Sequence, residues 1–209
     1  MASSERLLFP LLLVALAGCA TPRASSLADL SLRSTTSADQ RSVEQLISTS
    51  DATVFAFWSG SCPCVRRYQA RLEALAAQWA PKGIAFVQVS SNAGESVERI
   101  AEVAKERQLQ LPVWRDEGGQ LARTLEARST PTVVLVRRDG QVLFRGWIDN
   151  ERLPGEPGRE AWLEAALEGF TAGRAFASRT PTWGCTITRS LTATAAAPSC
   201  HVPQPGETP

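Results

Sequence analysis

The chain carries 5 cysteines and 1 histidine, and that imbalance directs where chemistry can lie. The histidine, His201, stands near the C-terminus, which argues against a histidine-rich zinc site or a Ser-His-Asp triad in the main body. The reactive species to look for is therefore a cysteine thiolate. Cys62 is the best placed. It follows Trp58-Ser59-Gly60-Ser61 and precedes Pro63, a residue suited to the first position of a helix. A cysteine at a helix N-terminus meets unpaired backbone N–H groups and the positive end of the dipole, and both lower a thiol pKa from about 8.5. Arg66 and Arg67, one turn later, read as solvated side chains.

A second thiol decides what Cys62 can do. Cys64 is nearest in sequence, but helical positions two apart point about 200° from each other, so a relaxed Cys62–Cys64 disulfide needs the first turn to unwind. Cys185, in the irregular Trp183-Gly184-Cys185 segment, ranks ahead of Cys64 because a tail can fold back over the Cys62 turn. A structural bond between Cys185 and the nearby Cys200 is the alternative. Cys200-His201 reads as part of an incidental tail rather than a metal pair. No cofactor and no metal-ligand set is called for.

The elements that must position these thiols follow from periodicity. Thr53 to Trp58 is an apolar, aromatic and β-branched run ended by Ser59-Gly60-Ser61, the pattern of a buried strand and a turn. Val65, Tyr68, Leu72, Leu75 and Trp79 then recur at helical steps until Pro81-Lys82-Gly83. Ile84 to Val89 predicts a second buried strand. Asn92-Ala93-Gly94 opens a helix with Val97, Ile100, Ala101 and Ala104 on one face, followed by a short strand around Val113 and a helix through Leu121 and Leu125. Thr132 to Val136 and Gln141 to Phe144, joined across Asp139-Gly140, predict an antiparallel hairpin. A last helix covers roughly Glu160 to Phe170. The order implies an α/β fold with a central mixed sheet, a C-terminal hairpin and flanking helices.

The chain has 209 residues, 44% of them hydrophobic and 21% charged, with a net charge of +1, values that suit one globular domain and carry no electrostatic footprint for nucleic acid. The apolar stretch from Leu7 to Ala17 is shorter than the about 20 residues of a spanning helix and reads as a signal-peptide core. Leu16-Ala17-Gly18-Cys19 resembles the lipobox of bacterial lipoproteins, which implies lipidation at Cys19 and a place in the bacterial cell envelope, lipid-anchored to a membrane and facing the periplasm or exterior. The resulting organisation is a signal peptide over 1–18, a flexible tether over 19–40, a folded domain over 41–173 and an irregular tail over 174–209 that contains Cys185 and Cys200. Export keeps these cysteines where disulfides persist.

Phe57-Trp58-Ser59-Gly60-Ser61-Cys62-Pro63 looks like the strand-to-helix turn of thioredoxin-like proteins, and Ser129-Thr130-Pro131-Thr132 is similar to their cis-proline loop. With Arg67-Tyr68, Lys82 to Val87, Ser91-Asn92, Pro112, Asp116, Arg145-Gly146, Ile148-Asp149 and Gly184-Cys185 with Ile187, the chain resembles the redoxin branch that groups with the AhpC/TSA antioxidant proteins. The resemblance implies a thioredoxin-like fold, a redox thiol at Cys62, a cis bond before Pro131, and a substrate surface of Trp58, Thr130 and Pro131 with the Thr130 backbone open to an extended substrate. It further implies protein thiols or disulfides, and a thioredoxin-type electron donor, as partners. Thioredoxins carry Cys-x-x-Cys, whereas Val65 stands three after Cys62 and Cys64 comes one position early.

Four functions are compatible with this pattern. Thiol-disulfide exchange through Cys62, with Cys185 or Cys64 as resolving thiol, needs only a low-pKa thiol and a second one. A thiol peroxidase would use peroxide as substrate; peroxiredoxins resemble one another in a Thr or Ser three residues before the cysteine, matched by Ser59, and a proline seven before, where Phe55 stands. Cys62, Cys64 and Cys185 could instead hold Cu(I) in a metallochaperone or assembly factor. A thioredoxin-like interaction module without turnover is the fourth.

Overall fold

The computed structural model describes residues 26–151 and 157–189. At its centre lies strand β3 (Ala52–Trp58), every residue of which is buried. The run is continuous because both faces of the sheet are covered, so neither can be polar. Alternation divides it: Val54, Ala56 and Trp58 join one core, Phe55 and Phe57 the other.

Around β3 the strands are β1 (Ser31–Ser34), β2 (Gln40–Ser42), β4 (Ile84–Ser90), β5 (Val113–Arg115), β7 (Val133–Arg137) and β8 (Val142–Gly146). They form one seven-stranded mixed sheet in the order β2-β1-β5-β4-β3-β7-β8. β4 runs parallel to both β3 and β5, while β7 pairs antiparallel with β3 and β8. The β7–β8 turn contains Gly140 at φ 87°, as the Asp-Gly pair requires. A separate two-stranded ladder joins β6 (Ser129–Thr130) to β9 (Cys185–Thr186).

Helix α2 (Pro63–Trp79) covers the first core with Val65, Tyr68, Leu72, Leu75 and Trp79, the five positions that periodicity assigns to it. It passes through a short turn of Ala80–Lys82 and stops at Gly83, φ 79°. Helices α3 (Val97–Glu106) and α5 (Trp162–Thr171) pack on the same core, α3 through the buried Ile100 and Val103 with the half-buried Ala104 beside them. Helix α1 (Val43–Ser48) and helix α4 (Gln120–Thr124) cover the opposite face. This is an α/β thioredoxin-like fold, as the element order implies.

Two boundaries differ from those the composition suggests. The tether expected over 19–40 is structured from residue 26: Leu30 is 4% and Leu32 0% exposed, and β1 pairs antiparallel with β5. Serine-rich surroundings mask a two-residue alternation that buries both leucines in the second core. The tail expected to be irregular from 174 is docked across the domain as far as it is described. Arg145 donates its N–H to the Ser178 carbonyl at 3.0 Å, and Thr180 donates to the Arg145 carbonyl at 3.0 Å. Beyond β9, Ile187 donates to the Arg128 carbonyl at 2.9 Å, and Ala93 to the Thr188 carbonyl at 2.8 Å. These bonds join segments far apart in sequence, so no local pattern announces them. Residues 1–25, with the expected signal peptide and Cys19, and residues 190–209, with Cys200 and His201, lie outside the described residues. Among the described residues, no helix is long and apolar enough to cross a membrane.

Candidate active site

The end of β3 and the start of α2 deliver Cys62 to the edge of the sheet. Cys62 is the residue just before the helix, with extended φ −81° and ψ 118°, and Pro63 takes the first helical position. No acidic residue stands in the first turn of α2, so the helix dipole acts on the sulfur without local opposition from its own helix. Arg66 and Arg67 are exposed.

Cys62 forms a disulfide with Cys185, with Cα atoms 5.9 Å apart and 123 positions between them in sequence. The Cys62 sulfur also lies 3.2 Å from the Thr130 carbonyl oxygen. While the disulfide is closed there is no proton to share; once reduced, the Cys62 thiol can donate to that oxygen. The Thr130–Pro131 bond is cis. Cys64 is fully buried in the same core cluster and is engaged there rather than free. The reasoning that turns it about 200° from Cys62 fails because Cys62 is not itself helical, so the helical rotation per residue does not apply across that step.

Thr130 and Trp58 depart from the expected substrate surface. The Thr130 edge is not open: β9 lies on it antiparallel, with Thr130 opposite Cys185 and Ser129 opposite Thr186. Trp58 is 2% exposed, because strand alternation directs it under α2 and into the first core, where it cannot touch a substrate. Two positions before Cys185, the Trp183 ring meets Trp147 edge-on at 5.1 Å and Trp162 at 6.1 Å. Trp147 Nε1 donates to the Trp183 carbonyl at 3.0 Å.

Two residues that sequence reasoning passed over clamp the Ser59–Ser61 turn. The Glu95 carboxylate accepts from the Gly60 N–H at 2.7 Å, the Ser59 hydroxyl at 2.7 Å and the Ser90 hydroxyl at 2.6 Å. From the other side the Arg107 guanidinium donates to the Gly60 carbonyl. Burial, and then the positive charge of Arg66, pull the Arg107 pKa below its ordinary value. Glu95→Ala strands the Gly60 N–H and the Ser90 hydroxyl, while the Ser59 hydroxyl keeps its bond to the Ser61 hydroxyl at 3.1 Å, and each stranded group costs about 1–3 kcal/mol where it is fully buried. We expect it to lower both urea stability and the reaction rate of Cys62, and Glu95→Gln, which keeps an acceptor for Gly60, to restore much of both.

Below Cys62, α2 is tied to the segment after β8. Arg71 donates to Asp149 at 2.6 Å and pairs with Glu151 at 2.8 Å, and Arg159 reaches Asp149 at 3.2 Å. The Tyr68 hydroxyl donates to the Glu151 carbonyl at 2.7 Å. Burial, reinforced by the Asp149 charge, pushes the phenol well above its ordinary range, so it stays a donor. Among the described residues, no group of three or more His, Cys, Asp or Glu side chains is set to hold a metal ion.

Comparison with known proteins fits this geometry. Residues 25–145 match the AhpC/TSA family, a span that includes Cys62, Cys64, Thr130 and Pro131 and ends before Cys185. No curated protein matches the chain. An uncharacterized conserved protein from Geobacillus kaustophilus is 29% identical, with a TM-score of 0.70 over 82% of this chain and 94% of that one. A hypothetical protein from Sinorhizobium meliloti is 25% identical, with a TM-score of 0.67 over 80% and 94%. A peroxidoxin from Mycobacterium tuberculosis is 21% identical, with a TM-score of 0.54 over 73% and 97%, and shares the fold.

Proposed function

Because this chain belongs to the AhpC/TSA family within the thioredoxin-like superfamily, we propose that it is a thiol-disulfide oxidoreductase of the cell envelope, with Cys62 as the exchanging thiol and Cys185 as the resolving one. The Cys62–Cys185 bond at the start of α2 carries this reading. A Cys62 thiolate attacks a partner disulfide and forms a mixed disulfide, releasing one partner thiolate. Cys185 then attacks the Cys62 sulfur, closing the internal bond and releasing the second partner thiolate, so the two electrons gained by the partner come from Cys62 and Cys185. A thioredoxin-type donor dithiol restores both thiols. Attachment through lipid on Cys19 belongs to the same proposal, supported by Leu16-Ala17-Gly18-Cys19 after the apolar run from Leu7.

Family membership keeps peroxide in view as a substrate. Two observations weigh against it as the main one. Phe55 stands where peroxiredoxins have proline and is fully buried in mid-strand. The Ser59 hydroxyl, at the position of their Thr or Ser, is committed to Glu95 at 2.7 Å. The deciding experiment offers the reduced chain either a protein disulfide, such as that of insulin, or hydrogen peroxide, with dithiothreitol as the turnover reductant. Faster turnover of the disulfide supports exchange. Peroxide consumption that outpaces it overturns the reading in favour of a peroxidase.

A further inference from the structure

The strand lying on the Thr130 edge specifies what that edge accepts. We infer that Trp183–Ile187 is an internal copy of the substrate, and that the groove binds an extended polypeptide in which the reacting cysteine follows a glycine, with an aromatic residue two before the cysteine and an aliphatic one two after. The inference rests on the exchange reading above and names the substrate class of the same site.

Four features of the docked segment carry it. The β6–β9 ladder uses backbone groups that any polypeptide has, and its register sets Cys185 opposite Thr130, where the sulfur meets Cys62. Gly184 is required by geometry: its φ is 102°, and a Cβ there would overlap the Thr130 carbonyl oxygen, with the carbonyl carbon at 3.1 Å. Trp183 fills the space between Trp147 and Trp162. Ile187 is 4% exposed in the second core, whereas Thr186 between it and Cys185 is exposed and unconstrained. Such a pattern is recognised as strands are, through main-chain pairing with pockets for alternate side chains.

The two sulfurs of the closed bond differ in access, and this orders the steps. Cys62 is 1% exposed and Cys185 half-buried, so an incoming thiolate of the donor dithiol reaches Cys185 first. Its attack forms a donor–Cys185 disulfide, breaks the Cys62–Cys185 bond, and releases Cys62 as a thiolate at the start of α2. The donor's second thiolate then attacks the donor's sulfur in the new bond, closing the donor's own disulfide and freeing Cys185. Two electrons have passed from the donor to the chain, and Cys62 and Cys185 take up the two protons the donor gives up, before Cys62 turns to the substrate disulfide. With its covalent tie gone, the internal strand competes for the groove with an external one of the same pattern.

The test uses the full chain as Cys185→Ser and as Gly184→Ala/Cys185→Ser, both checked for folding by circular dichroism. The probes are Thr-Trp-Gly-Cys-Thr-Ile-Thr and its Gly-to-Ala counterpart, each carried as a mixed disulfide with thionitrobenzoate, and the symmetric small disulfide of that chromophore. Chromophore release reports attack by Cys62. We expect the glycine peptide to react roughly tenfold or more faster than the alanine peptide on either variant. The Gly184→Ala change, which unseats the internal strand, should speed the reaction of every probe. Equal rates for the two peptides overturn the inferred pattern, and equal rates for the two variants with the small probe overturn the internal copy. Failure of both folded variants to react even with the small probe removes the exchange reading itself, and this inference with it.

Discussion

Cys62→Ser is expected to abolish disulfide exchange, whereas Cys185→Ser stops it halfway. Loss of the attacking sulfur leaves no route to a mixed disulfide, and turnover should fall by about 10³-fold or more. Without Cys185 the first displacement still occurs, so a mixed disulfide with substrate accumulates at Cys62 and is visible by mass spectrometry of non-reduced protein. If Cys185→Ser turns over normally, Cys64 resolves the intermediate, a possibility its place in the same buried cluster makes concrete. The same bond carries a stability effect. It closes a loop across 123 positions, and loops of that size stabilise by about 2–4 kcal/mol in practice, with chain entropy alone reaching about 5. Reduction of the otherwise unaltered chain should therefore lower Tm by about 5–15 °C. A Tm that does not move on complete reduction would show that the disulfide adds nothing to the stability that the tail's backbone hydrogen bonds already supply.

Asp149→Ala is the substitution expected to cost most among those that leave the cysteines intact. Asp149 is fully buried, accepts from Arg71 and Arg159, and takes the Glu151 N–H at 3.0 Å. Removing the carboxylate leaves two guanidinium groups sharing Glu151, with a backbone N–H stranded. Breaking a buried pair from one side costs about 3–5 kcal/mol, readable as a fall in urea midpoint. The effect should reach the site, since the same segment carries Trp147, which holds the Trp183 carbonyl and stacks edge-on with Tyr68 at 5.3 Å. We expect slower exchange together with lower stability. Arg159→Ala, at a position 36% exposed and 3.2 Å from Asp149, should cost far less.

How much of this was legible in the sequence depends on whether the signal was local. The strand ending at Trp58, the turn to Cys62 and the buried stripe of α2 are written in adjacent residues and read correctly, as does the Asp-Gly hairpin. β9 has two residues and exists only because Thr130 lies opposite Cys185, so no window of sequence contains its cause. Glu95 and Arg107 reach Gly60 from 35 and 47 positions away and look like ordinary surface charges on a helical stretch. The sequence favours Cys185 over Cys64 as the partner of Cys62, and the tail does fold back to make that bond. The helical rotation that would turn Cys64 away does not apply, since Cys62 stands just outside α2.

The docked tail has another effect, on how copies of the chain meet. β8 is the last strand of the sheet on its side, and its outer backbone would offer a ready template for another chain's strand. Ser178 and Thr180 take the hydrogen bonds of Arg145 there, so the segment that leads to Cys185 also seals that border. A chain cut before Ser178 would lose Cys185 and uncover a sticky rim in the same event, so fragments without the disulfide would be the ones most prone to aggregate.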